Sequence, residues 1–224
     1  NGTAIFNTWF PYTRYDSRTW YGGHQGTTND NHYILFSAGG MDFIAIHIKY
    51  DTSGSPATLT WAGGLLNTYS NRRAILVTHS LLETSAAWTG QGSIIYNALK
   101  GYPNLFLMLC GHNHGEARRT DIYLNNTVHT VLADYQNYPN GGDGYLRILR
   151  FSPDDNQIGF TTYSTTLNQY ERDANSEFTL TYNMGGAAYV ELATVTAASD
   201  SDATFTWTNR LVDRTYQWYA TASD

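Results

Sequence analysis

The chain has 224 residues, 13 lysines and arginines against 19 aspartates and glutamates, and a net charge of -6 with histidine neutral. That length can bury a sizeable core in one domain or one and a half, and an acidic chain whose basic residues never gather beyond pairs such as Arg118-Arg119 offers no nucleic-acid-binding surface. Charged residues make up 14% and aromatic residues 15%, so the surface must be built largely from Thr, Ser, Asn and Tyr. That pattern points to a secreted protein, extracellular or periplasmic.

The single cysteine, Cys110, lies inside an apolar run and reads as a small buried hydrophobe. No apolar segment approaches the roughly 20 residues of a membrane helix, and no charged-then-apolar leader opens the sequence. Asn1-Gly2-Thr3 and Asn125-Asn126-Thr127 fit the glycosylation acceptor pattern.

Residues 1–31 are aromatic and turn-rich (Trp9, Phe10, Tyr12, Tyr15, Trp20, Tyr21) without a sustained period. An irregular segment that packs its rings on something else is expected there. Tyr33–Ser37 and Asp42–Ile48 read as a hairpin about Gly39-Gly40. Ser55 offers a helix N-cap with Pro56 at the first turn. Leu59, Ala62, Leu65, Leu66 and Tyr69 then recur at helical spacing, although Gly63 and Gly64 each weaken a helix by about 1 kcal/mol relative to alanine.

Ala74–Thr78 is an apolar strand that ends on His79. A loop is expected over residues 80–92, then a short helix carrying Ile94, Ile95, Ala98 and Leu99. Leu105–Cys110 is apolar on both parities, as a strand covered on both faces must be. It stops abruptly at Gly111-His112-Asn113-His114-Gly115-Glu116. Strand, helix, strand, helix, strand implies parallel neighbours, with the histidine loops together at the carboxyl edge where open α/β sheets place ligands.

Antiparallel structure is expected after Glu116. Thr120–Leu124 and Thr127–Ala133 flank Asn125-Asn126, and Tyr145–Phe151 and Gln157–Tyr163 flank a turn at residues 152–155. From about Gly185 the pattern changes again. Ala203, Phe205 and Trp207, then Tyr216, Trp218 and Ala220, alternate with polar residues as two half-buried strands do. A boundary near residues 183–186 divides the chain into 1–184 and 185–224.

Histidines ending two neighbouring buried strands form a metal-site arrangement, with a nitrogen donor suited to zinc, manganese, iron or nickel and not to calcium. The candidate ligands are His79, His112 and His114. The plainer alternative is that they are ordinary loop residues. His24, His32, His47 and His129 lack partners at ligand spacing and read as structural. Tyr135, Asn137 and Asn140 either touch substrate or form a polar surface loop, and Glu116, Arg118 and Arg119 either face the pocket or are solvated.

His79 with the Gly-His-x-His loop resembles the carboxyl-terminal half of a calcineurin-like metallophosphoesterase, of the purple-acid-phosphatase-like superfamily. The likeness covers about residues 2–182 and is strengthened by Phe36-Ser37-Ala38-Gly39-Gly40-Met41-Asp42-Phe43 and Ala133-Asp134-Tyr135-Gln136, which look like bacterial members. It implies an α+β fold, a partial α/β/β/α sandwich with mixed parallel and antiparallel sheets, and two divalent transition metals (Zn, Mn or Fe) held between the sheets. His79 and His112 would bind one ion and His114 the other. Two ions roughly 4 Å apart activate a water and clamp phosphoryl oxygens, so the implied substrate is a small phosphoester.

The family's Asp-x-His, Gly-Asp-x-x-Asp and Gly-Asn-His-Asp/Glu motifs are absent. Asp30-Asn31-His32 precedes an apolar strand instead of ending one. The chain is therefore expected to supply half of the metal ligands, to need a missing amino-terminal half or neighbouring chains to cover its open sheet edges, and to be inactive alone, with no catalytic residue of its own assigned. Trp207 and Thr215-Tyr216-Gln217-Trp218-Tyr219 resemble part of a fibronectin type III or immunoglobulin-like module. The alternative function is a non-enzymatic extracellular filament or adhesive subunit that keeps the fold.

Overall fold

The computed structural model of the chain describes residues 2–185, 192–208, 218, 220 and 222. A seven-stranded mixed sheet carries helices on one face and a four-stranded antiparallel sheet on the other, an α+β arrangement. Helix α1 (Ala4–Trp9) and strand β1 (Tyr21–His24) precede the hairpin of β2 (His32–Ala38) and β3 (Met41–Ile48). Then come α2 (Pro56–Thr68), β4 (Arg73–Thr78), α3 (Gly90–Leu99) and β5 (Leu105–Cys110), followed by the hairpin of β6 (Gly115–Tyr123) and β7 (Asn126–Asp134). These strands run in the order β1-β2-β3-β4-β5-β7-β6, with β3, β4, β5 and β7 parallel to one another and the outer pairs β2–β3 and β7–β6 antiparallel. The second sheet consists of β8 (Tyr145–Ser152), β9 (Gln157–Ser164), β10 (Gln169–Glu171) and β11 (Glu177–Thr181), all pairing through β9.

The two parities of the central strands serve two cores, which explains their unbroken apolar runs. Ile44, Ile46, Leu76 and Met108 pack with Ala62 and Leu66 of α2 and Ile95 and Leu99 of α3. Phe43, Ala45, Ile75, Leu107 and Val131 face the other way and meet Ile158, Phe160 and Leu180 of the second sheet. Both cores fix the strands whose carboxyl ends carry the candidate histidines.

Several local expectations need correction. Residues 2–31 are not wholly irregular: they contain α1, a 3-10 turn at Tyr12–Arg14, and β1, which pairs antiparallel with β2. The Ser55 side chain does not cap α2; the Asp51 carboxylate takes the backbone N–H groups of Ser53 and Ser55 at 3.0 and 3.2 Å instead. The loop after His79 ends earlier than expected, because Thr89 caps α3 by accepting from the Gly92 N–H at 3.0 Å. Gly92 sits against the Leu81 backbone, where a Cβ would meet the carbonyl oxygen at 2.0 Å. Strand β6 starts at Gly115, five residues before the expected Thr120, which puts Glu116, Arg118 and Arg119 inside the sheet.

The strand expected at residues 203–208 is not formed. Those residues have no regular secondary structure, and Phe205 is half exposed. The second expected strand falls largely outside the described residues, as do Tyr216 and Tyr219. Among the described residues no helix is long and apolar enough to cross a membrane.

Candidate functional site

His79 directly follows β4, and His112 follows β5 by two residues, so the parallel pairing of these strands delivers both imidazoles to one sheet edge. Their ring centroids lie 4.6 Å apart. The two loops are fastened by their backbones, since the Gly111 N–H donates to the His79 carbonyl at 3.1 Å. The Asn113 amide adds a second tie to the Leu82 carbonyl at 2.8 Å. His112 itself has φ 75, in the left-handed region that non-glycine residues avoid. A residue held there against its preference is a common mark of a functional loop.

Tyr50 and Asp134 complete the surroundings. The Tyr50 ring packs on both imidazoles, at 5.2 Å from His79 and 5.5 Å from His112. Partial desolvation against the neighbouring rings and the nearby His112 push the His79 pKa below the ordinary imidazole range, while the Asp134 carboxylate pulls it back up. The net effect favours neutral His79, the form that can donate a lone pair to a metal. Tyr50 carried no sequence signal of its own, and Asp134 only its place in the run Ala133-Asp134-Tyr135-Gln136, with no role assigned to it. Each becomes a site residue only through strand order, Tyr50 after the carboxyl end of β3 and Asp134 at that of β7.

His114 is placed differently. Its Nδ1 faces Asp134 Oδ1 at 3.5 Å and receives the Gln136 amide at 3.0 Å. These neighbours ask for opposite tautomers, because an amide N–H needs a bare nitrogen and a carboxylate needs a protonated one. The shorter contact makes Nδ1 the acceptor. For His114 to ligate through Nε2, Asp134 would have to take the Nδ1 proton instead, the usual way an outer carboxylate orients a metal-binding histidine.

All three predicted ligands are exposed at one end of the sheet. Among the described residues, however, no three His, Cys, Asp or Glu side chains are grouped so as to hold a metal ion. The donors suit a transition metal in type but are too few for a complete site. Tyr135 is not part of a polar surface loop: it is buried, and its hydroxyl donates to Glu116 at 2.6 Å. Glu116 is likewise neither solvated nor in a pocket, being paired with Arg147 between the sheets. Asn137 and Asn140 are exposed, and the Asn140 amide donates to Asp143 at 2.8 Å. His129 is buried between Thr120 at 2.9 Å and the Thr181 carbonyl at 3.2 Å, a structural role.

No family model matches the chain. Among solved structures, a Staphylococcus aureus protein provisionally named a 5'-nucleotidase, in complex with alpha-ketoglutarate, aligns over 80% of this chain and 34% of that one. The TM-score is 0.36 and the identity 13%, too distant to fix either fold or chemistry. The chain is 33% identical over 185 residues to the uncharacterized protein YvnB of Bacillus subtilis (strain 168), a match that takes in 79% of this chain and 14% of that protein's length.

Proposed function

We propose that this chain forms part of a two-metal phosphoesterase, to which it contributes His79 and His112 as ligands of one ion and His114 as a ligand of the other. The observation that supports this reading is the His79–His112 pair, 4.6 Å apart on backbone-tied loops at the carboxyl ends of adjacent parallel strands. Zn, Mn or Fe ions bound there would supply Lewis acidity and an activated water for attack on a small phosphoester. The chain's own part is to hold neutral imidazoles in place, with Tyr50 packed behind them and Asp134 as the outer carboxylate for His114. The remaining donors come from outside this sequence, which makes the 224-residue chain inactive alone.

The low charge content supports an extracellular or periplasmic setting. The test is hydrolysis of an aryl phosphate and an aryl phosphodiester by the full-length protein before and after chelation. Turnover that chelation abolishes and added metal restores is expected. Turnover undiminished by chelation, or none from metal-replete protein, would overturn the proposal.

A further inference from the structure

The aromatic segment before β2 does not collapse into a core. Phe6, Phe10, Tyr15, Trp20 and Tyr21 stand around an open cleft of about 230 Å³, with Phe6 39%, Phe10 45% and Trp20 42% exposed. The cleft is held in shape by a buried polar residue, Asn29. Its side chain accepts from the Tyr21 hydroxyl at 2.7 Å and donates to the Phe10 carbonyl at 2.9 Å, while its backbone N–H goes to Asn7 at 2.8 Å. Asp30 accepts from Thr3 and Asn7, tying α1 to the same loop. A concave apolar site with a few placed polar groups, formed before any ligand arrives, is how small-molecule pockets are built.

His32 also lines the cleft. Its Nδ1 lies 2.9 Å from the Asn29 carbonyl, which can only accept, so Nδ1 carries the hydrogen. Burial lowers the pKa of this ring and favours the neutral form, and Nε2 is then a bare acceptor. The ring is stacked on His47 at 4.5 Å and on Tyr21 at 6.2 Å, so it cannot swing away without breaking two ring contacts. Among the described residues no Asp, Glu, Lys or Arg lines the cleft.

We propose that this cleft binds a neutral, planar aromatic ring that carries an N–H or O–H group, stacked on the aromatic wall with its donor on His32 Nε2. The place of the cleft connects it to the histidine edge. His32 pairs across strands with His47, His47 pairs with Val77, and His79 lies two residues beyond Val77. Two strand spacings and two residues of rise along the strand combine to about 12 Å, a span that a phosphoester with an aryl or heteroaryl group could bridge. This last step, which makes the ring the organic part of the substrate, rests on the phosphoesterase reading; the binding of the ring does not.

The test uses chelator-treated full-length protein and ligands without phosphate, so that its outcome is independent of catalysis. Adenosine and phenol are titrated by calorimetry, with ribose and cyclohexanol as non-aromatic controls. Saturable binding of at least one ring compound is expected, and the tighter of the two tells a nucleobase from a phenolic aryl group. Trp20→Ala removes an exposed wall and should weaken binding roughly tenfold, in the range of ring-on-ring stacking. His32→Phe keeps the stack on His47 but loses the acceptor, and should weaken binding severalfold without altering metal content. No saturable binding of either ring, binding of ribose and cyclohexanol as tight as that of the rings, or wild-type affinity in both variants would overturn the proposal. Ring binding that persists in a protein without phosphatase activity would count against the function proposed above and not against the cleft.

Discussion

Glu116 of β6 and Arg147 of β8 form an ion pair across the seam between the two sheets, with 6% and 7% of their side chains exposed. Tyr135 and Thr162 donate to the same carboxylate oxygen at 2.6 and 2.7 Å, Ser176 donates to the other, and Arg147 also reaches the Asn175 carbonyl at 2.7 Å. Removing two charges from water is costly, so such a pair is tolerable only when its remaining donors and acceptors are satisfied. Here it fixes how the sheets dock and, through Tyr135, where the chain after Asp134 goes.

Glu116→Ala leaves the buried guanidinium without its counter-charge and three hydroxyls without their carboxylate acceptor, and should cost about 3–5 kcal/mol. Glu116→Gln keeps the shape and an acceptor and should cost less. Urea denaturation of both, closed into a double-mutant cycle with Arg147→Ala, measures the coupling. A coupling below about 0.5 kcal/mol would mean that the two residues act independently.

Stability should fall on mild acidification. His47 stacks on His32, and burial first, then the His32 charge, lower its pKa to about 4. The unfolded imidazole titrates near ~6.5, so between about pH 6.5 and 4 the unfolded chain binds a proton that the folded chain lacks. The contribution of His47 is therefore full above that window and lost as pH falls through it, by up to about 3 kcal/mol. His32 and His129 are shifted in the same direction and add to the effect. His47→Gln should make the pH 7 to pH 5 change in urea midpoint smaller than in wild type. An equal change in both proteins would contradict this.

Cys110 is 9% exposed, and burial pushes its thiol up to about 11. The thiolate is the reactive form. Alkylation under native conditions at neutral pH should be slow and should become fast in urea; rapid native labelling would place the end of β5 at the surface.

Much of this architecture was legible in the sequence, and the reasons are local. The β2–β3 hairpin, helix α2 and the three parallel strands follow from apolar runs bounded by glycine and proline, and both-parity apolarity placed Leu105–Cys110 in the middle of a sheet. What was not legible depends on contacts distant in sequence. Glu116 looks like a solvated charge after a turn until Arg147, 31 residues away, is brought beneath it. Asp134 looks like the end of a strand until β7 inserts beside β5. The alternating pattern of residues 203–208 shows the converse, since these residues have no regular secondary structure although their hydrophobicity has period two.

Asp134 should matter to metal binding without touching the metal. Asp134→Asn removes the carboxylate that would take the His114 Nδ1 proton, and loss of such an outer partner typically weakens metal affinity about 10–100-fold. Competition with a chromogenic chelator reads the affinity, and a thermal melt checks that the fold is intact. An Asp134→Asn protein that binds metal as tightly as wild type would remove Asp134 from the site.

If His79, His112 and His114 are metal ligands, the metal content of the protein must depend on them. Elemental analysis of the full-length protein, purified from metal-replete medium, should find about two transition-metal ions per molecule. His112→Ala and His114→Ala should each lose at least one of them, with phosphatase activity falling in parallel. A wild-type protein without transition metal, or single variants that retain the full complement, would mean that these histidines are not metal ligands.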